Sequence, residues 1–109
     1  MLSEGVNKGK ISFEKLVEIS SYNNARQFGL MPRKGLIDIG FDADIVMVDK
    51  DKEWTVTNSA LHNISDFTPY EGWKLKGKPV MTMIRGEVVT EGDELKGKAG
   101  YGRFIAGKK

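Results

Sequence analysis

GFDADIVMVD, residues 40–49, sets four large apolar side chains, Ile45 to Val48, between acidic residues. Carboxylates in such places either ligate a metal ion or open and close a strand. A short carboxylate side chain bonds backbone amides two residues on, and this favours a turn. Asp42 and Asp44 are therefore read as turn and strand-opening residues, and Asp49 as the residue that ends the strand. Ile45–Val48 has no polar side, so the strand needs cover on both faces.

Outward from this strand the pattern changes twice. Upstream, Ser12 is placed to cap a helix, and Ile11 and Leu16 have the spacing of a hydrophobic staple. Phe13, Leu16, Val17 and Ser20 then share one face at helical spacing. Asn23 or Asn24 is read as the cap of a second short helix, with Gly29 in its left-handed C-terminal position. Pro32 prevents easy continuation. Residues 1–10 are polar, contain glycine and read as loose. Leu36–Ile39 is expected as a short strand between Gly35 and Gly40. Glu53–Thr57 alternates and reads as another strand, with residues 49–53 as a solvated turn before it. Residues 58–79 read as a long irregular connection. Val80–Ile84 and Glu87–Thr90 flank Arg85-Gly86, the signature of a tight hairpin. The expected fold is mainly β with two N-terminal helices. Five short strands bury one face well, and a second face needs another sheet or a partner.

The 109 residues fit one domain with a modest core. A net charge of +2 is too small to argue for nucleic acid, and the lysines of the tail read as solvated. There is no cysteine, hence no disulfide, thiolate metal site or cysteine nucleophile. No apolar stretch is long enough to span a bilayer, so no membrane role is expected, and a cytoplasmic location is the default. Asn63-Ile64-Ser65 matches a glycosylation sequon, which carries little without a secretion signal.

A hydrolytic metal site needs several imidazoles or carboxylates converging on one ion. His62 is the one histidine and reads as a surface residue. Asp49, Asp51 and Glu53 alternate like the start of a calcium loop, but the central glycine and the distal glutamate are missing. No phosphate-binding glycine loop and no serine nucleophile elbow is present. Trp54, Phe67, Tyr70, Trp73 and Tyr101 read as core aromatics rather than base-stacking platforms. No catalytic, cofactor-binding or metal-binding residue is assigned to this chain.

The stretch SYNNARQFGLMPRKGLIDIGFDADIVMVDKDKEWTV, residues 21–56, resembles the region that follows the catalytic barrel in cyclic amidohydrolases, which include dihydroorotase, hydantoinase or dihydropyrimidinase, and allantoinase. The residues that carry the likeness are Asn24, Ala25, Phe28-Gly29-Leu30, Pro32, Lys34-Gly35, Ile37, Gly40 and Asp42-Ala43-Asp44. Glu71-Gly72, Gly77-Lys78-Pro79 and Arg85-Gly86 continue it. Gly100-Tyr101-Gly102-Arg103-Phe104 is most similar to dihydroorotases. Asn24 departs from the proline usual in the family.

The resemblance implies a metal-dependent (β/α)8 barrel with one or two zinc ions in the whole enzyme. Its ligands are a His-x-His pair, a carboxylated lysine, two further histidines and an aspartate. All precede the matching region, so none transfers to a residue here. The chain then corresponds to the last barrel helices (residues 1–31) and the C-terminal part of a composite β-sandwich (residues 32–109). The enzyme so implied hydrolyses a cyclic amide, interconverting dihydroorotate and N-carbamoyl-L-aspartate in pyrimidine biosynthesis. The isolated chain is expected to be inactive, with its own N-terminal segment and barrel as natural partners. Self-association through the uncovered sheet face is expected without them. A hydantoinase or allantoinase fragment is the alternative within this class. A free-standing small β interaction domain is the alternative outside it.

Overall fold

A computed structural model describes residues 1–108. The chain opens with a single wide helical turn, Leu2–Asn7. Helix α1 (Phe13–Val17) follows, and a π-helical turn (Glu18–Tyr22) carries it directly into α2 (Asn23–Gln27). Four strands complete the chain: β1 (Ile45–Thr55), β2 (Lys74–Ile84), β3 (Glu87–Glu91) and β4 (Glu94–Leu95). They form one antiparallel sheet in the order β1-β2-β3-β4.

The helix signals behave as local chemistry dictates at both ends. The Ser12 hydroxyl accepts the Lys15 amide hydrogen at 3.0 Å, satisfying a donor the helix leaves free. At the far end Gly29 takes φ +68°. The Leu30 amide donates to the Ala25 carbonyl at 2.8 Å, and the Gly29 amide to the Arg26 carbonyl at 3.3 Å. These two bonds make a Schellman termination. The expected break between two helices is absent. Tyr22 and Asn23 both hold helical backbone angles, and the Asn24 side chain donates back to the Ser20 carbonyl instead of capping. The Ser20 hydroxyl bonds the Leu16 carbonyl at 2.7 Å in the same way. Such back-bonding accompanies the widened turn, and the result is one continuous arm.

The sheet departs from the sequence expectation in three places. First, Asp49 does not end a strand. Ile45–Val48 and Glu53–Thr55 belong to one strand, and residues 50–52 bulge outward opposite Gly77. The opening turn makes this possible. The Asn7 side-chain amide donates to the Lys50 carbonyl at 3.0 Å and to the Lys76 carbonyl at 2.6 Å, and the Ser3 hydroxyl accepts the Lys76 amide hydrogen at 3.0 Å. Residues 1–10 are thus docked rather than loose. Gly77 sits at φ +101°, and a Cβ there would lie 2.7 Å from the Leu2 side chain, so the close approach needs glycine. Second, β2 begins at Lys74, inside the expected connection. Pro79 is accommodated because the register slips around Val80, whose carbonyl is taken by the Gly92 amide at 2.8 Å. Third, Leu36–Ile39 is not a strand. Ile37 is 81% and Ile39 98% exposed, and the loop folds on itself through Asp38, which accepts from the Ile39 amide. A strand requires a partner to satisfy its amides, and no described segment pairs with this one. The hairpin at Arg85-Gly86 forms as expected, with both residues at positive φ.

Very little of the apolar surface is covered. Among the described residues Ala25 and Val56 are the buried hydrophobics, while Val46 and Met47 are each more than half exposed. The radius of gyration is 15.4 Å, against about 13 Å for a compact chain of this length. Accessible surface is 8304 Å², about 2300 Å² more than the ~6000 Å² expected of a compact 12.1 kDa chain. Both faces of β1 thus need cover, as its sequence implied.

Replacing Asn7 by Ala leaves two strand carbonyls without their donor. Because water reaches them, the expected loss is about 1 kcal/mol of unfolding free energy, read by urea denaturation. An unchanged midpoint would show that the opening turn does not support the bulge.

Candidate functional site

The arm and the sheet enclose an open groove of about 1300 Å³. Phe13, Leu16 and Val17 line it from the arm, and Ile45, Val46 and Val48 from β1. Helical spacing puts the first three on one side, as the sequence suggested. Trp54, Val56, Tyr70 and Trp73 continue the wall. Tyr70 and Trp73 meet edge to face, with centroids 5.4 Å apart. They are about half exposed, so they form a rim of the groove, and Phe67, 69% exposed, lies outside it; none of the three is the core residue that was expected. Trp54 is pinned on both sides: its indole N–H donates to the Gly77 carbonyl at 3.0 Å, and the Lys78 ammonium lies 5.1 Å from its ring.

Three charged residues stand at one end of this apolar groove: Lys34, Asp42 and Asp44. The Lys34 ammonium lies 2.8 Å from Asp42 and also pairs with Asp44. Asp42 additionally accepts from the Arg33 guanidinium at 2.9 Å. The second oxygen of Asp44 accepts the Arg85 amide hydrogen at 2.9 Å, and the Gly86 amide donates to the Ala43 carbonyl at 3.1 Å. Asp42 and Asp44 do open the strand. They do so by joining the 33–34 loop to the β2–β3 turn, not by bonding amides two residues on. Asp49 makes the expected local bond, accepting from the Asp51 amide at 2.9 Å, while the strand continues past it.

Sequence reasoning named Lys34 only among the residues of the family likeness and gave it no role. Its signal was a single cation beside Gly35, ten residues from Asp44, and nothing local predicted the pairing. The ion cluster sets opposite pKa directions. Hydrogen bonds from Lys34 and then Arg33 hold Asp42 below the ordinary aspartate range. For Asp44, partial burial pushes upward, but Lys34 and the Arg85 amide outweigh it and the net direction is down. Burial is also the largest influence on Lys34 and pulls it down, yet its bonds to Asp42 and Asp44 carry it above the ordinary lysine value.

A metal ion finds no such grouping. Among the described residues no three His, Cys, Asp or Glu side chains converge. His62 lies exposed in the loop after Asn58–Ala60, and Asp42 and Asp44 are committed to Lys34.

Two predictions follow from the ion cluster. Asp44→Ala should cost about 1–2 kcal/mol in urea unfolding, because it removes one amide acceptor and half of the Lys34 pairing. Metal content of the purified chain should stay unchanged, and loss of a stoichiometric metal would make Asp44 a ligand after all. The depressed aspartates stabilise the fold above their unfolded pKa of about 3.9, and this contribution is lost as pH falls through the lower folded values. The raised lysine stabilises below its unfolded pKa of about 10.4, and this is lost as pH rises through its higher folded value. Lys34→Met should weaken both limbs of the stability–pH curve, and an unaltered curve would deny the cluster a structural role.

Comparison with known proteins places this geometry. The sequence profile of the amidohydrolase family matches residues 1–89. A dihydroorotase of Pyrococcus horikoshii is 47% identical over 105 residues, which cover 96% of this chain and 25% of that protein. An L-hydantoinase of Paenarthrobacter aurescens is 40% identical over 105 residues, covering 96% of this chain and 23% of the relative. In three dimensions, the L-hydantoinase (dihydropyrimidinase) of Arthrobacter aurescens superposes with a TM-score of 0.93 at 40% identity, over 97% of this chain and 24% of that one. The chain spans about a quarter of the length of the curated relatives it matches. With its profile match, its fold and its arm-and-sheet geometry in agreement, this chain belongs to the amidohydrolase family.

Proposed function

We propose that the chain is the C-terminal, non-catalytic portion of a zinc-dependent cyclic amidohydrolase of the dihydroorotase kind, working in the cytoplasm. The observation that carries this reading is the surplus of exposed surface. An accessible surface about 2300 Å² beyond that of a compact chain, with Val17, Val46 and Met47 left exposed, has the size of an obligate interface. The occupant in this reading is the remainder of the same enzyme: a catalytic barrel above residues 1–31, and further strands against residues 32–109. A match to only a quarter of each relative supports it. Identities of 47% and 46% to two dihydroorotases, against 38–41% to the hydantoinases, favour dihydroorotate as substrate.

The residues present do not fit a zinc site, so no catalytic step is assigned to them. Their contribution is to cover and brace. The apolar side chains of the groove exclude water from the contact, and the Lys34 cluster sets the orientation of the strand that makes it. A hydantoinase reading has its own support, because the solved structures matched include D-hydantoinases and an L-hydantoinase.

An immunoblot of fresh source-cell lysate should reveal a band about four times heavier than 12.1 kDa, and a band at 12.1 kDa alone would overturn the proposal. The heavier species should open dihydroorotate faster than hydantoin or dihydrouracil. The reverse preference would move the assignment to the hydantoinases. Expressed alone, the 109-residue chain should show no ring-opening activity with added zinc and should self-associate as its concentration rises. A stable monomer by sedimentation would count against the uncovered interface.

A further inference from the structure

Neither α1 nor α2 packs closely on a strand. The arm is fastened to the sheet at its two ends and bridges the groove between them. Its first fastening is the opening turn, through Ser3 and Asn7. At its other end the chain leaves α2 at Gly29 and reaches the Lys34 cluster within five residues. A second connection meets the same end. After β4 the chain runs without regular structure from Tyr101 to Lys108 and returns to the helix terminus.

Both ends of this segment are anchored. At the sheet end the Tyr101 hydroxyl donates to the Ile84 carbonyl at 3.1 Å. The Arg85 guanidinium lies 4.2 Å from the Tyr101 ring and donates to its carbonyl. At the helix end the Lys108 amide donates to the Gly29 carbonyl at 2.8 Å. The two backbones approach so closely there that side chains are excluded from both. A Cβ on Gly107 would overlap the Phe28 carbonyl oxygen, and one on Gly29 would overlap the Lys108 carbonyl oxygen. Gly107 does not carry a positive φ, so glycine is required at that position for space alone. The contacts close a ring: Arg85 to Asp44, Asp44 to Lys34, the 29–34 loop to Lys108, and the segment back through Tyr101 to Arg85.

We infer that residues 101–108 are a strap that holds the C-terminal end of the helical arm to the sheet and thereby sets the width of the apolar groove. The strap lies outside the groove and leaves its walls free, since none of its residues lines it. It therefore controls the groove through the angle of the arm, and anything that displaces residues 104–108 from Gly29 loosens the wall carrying Phe13, Leu16 and Val17. This is independent of which molecule fills the groove.

The test is amide hydrogen exchange on the 109-residue chain, at a concentration where it sediments as a monomer, comparing Gly107→Ala with Gly102→Ala. A Cβ at Gly102 meets nothing within 4 Å, so that variant controls for the loss of a flexible residue. In Gly107→Ala the Lys108 amide should lose its protection, and exchange across Phe13–Gln27 should rise on the order of tenfold. Gly102→Ala should leave both unchanged. Faster exchange at Lys108 with an unchanged arm would overturn the inference, as would an unchanged Lys108 or an equal effect in the control. Should Gly107→Ala fail to fold, Tyr101→Phe decides. It removes one hydroxyl from the sheet-end anchor without adding bulk, and should speed arm exchange about threefold. No change in that variant would likewise overturn the strap.

Discussion

The carboxylate of Asp44 accepts the Arg85 amide hydrogen with one oxygen and pairs with the Lys34 ammonium through the other. Three pieces of chain are held at this point: the loop below the arm, which no strand pairing reaches, the start of β1 and the turn between β2 and β3. Arg85 has a positive φ of 45°, an unfavourable conformation for a residue with a side chain. The acceptor on its amide and the Tyr101 ring beneath its guanidinium offset that cost. Through Arg85 and Tyr101 the same cluster reaches the strap, and through Lys34 it reaches the arm. The apolar groove owes its shape to these polar contacts because so little apolar burial exists to shape it.

That balance is unusual for a chain of 109 residues. A compact domain of this size derives its stability from a buried core. Here Ala25 and Val56 are buried, and the larger apolar residues of β1 and the arm face open space. Surface ion pairs contribute little individually, so polar bracing orients the elements without replacing the missing core. The physical demand for cover and the likeness to much longer amidohydrolases point the same way. Each alone is weaker: exposed apolar surface says nothing about chemistry, and a family match says nothing about how this part behaves by itself.

The candidate site was legible in outline. Ile45–Val48 announced a strand wanting cover on two faces, and the spacing of Phe13, Leu16 and Val17 announced an arm with one apolar side. The aromatics were misread. Phe67, Tyr70 and Trp73 have core composition, but their loop packs against no second layer here, so all three stay exposed, Tyr70 and Trp73 at the edge of the groove. The role of Lys34 was invisible, since its two partners are defined by a fold that brings loop, strand and hairpin together.

The sequence by itself determined the features whose causes lie within a few residues. Ser12 caps α1 because the Lys15 amide is three residues away, Gly29 ends α2 because only a left-handed residue completes that termination, and Arg85-Gly86 turns the hairpin. The Gly-x-Asp-Ala-Asp stretch with its flanks also carried the family likeness. Tertiary structure decided the rest. It ran β1 through the polar residues 49–53, because Asn7, more than forty positions upstream, supplies a donor to the bulge. It denied Leu36–Ile39 a strand, because no described segment pairs with it. It gave Asp42 and Asp44 a lysine and a distant amide instead of their own turn. In each case the deciding hydrogen-bond partner is remote in sequence, and no local pattern encodes which remote group will arrive.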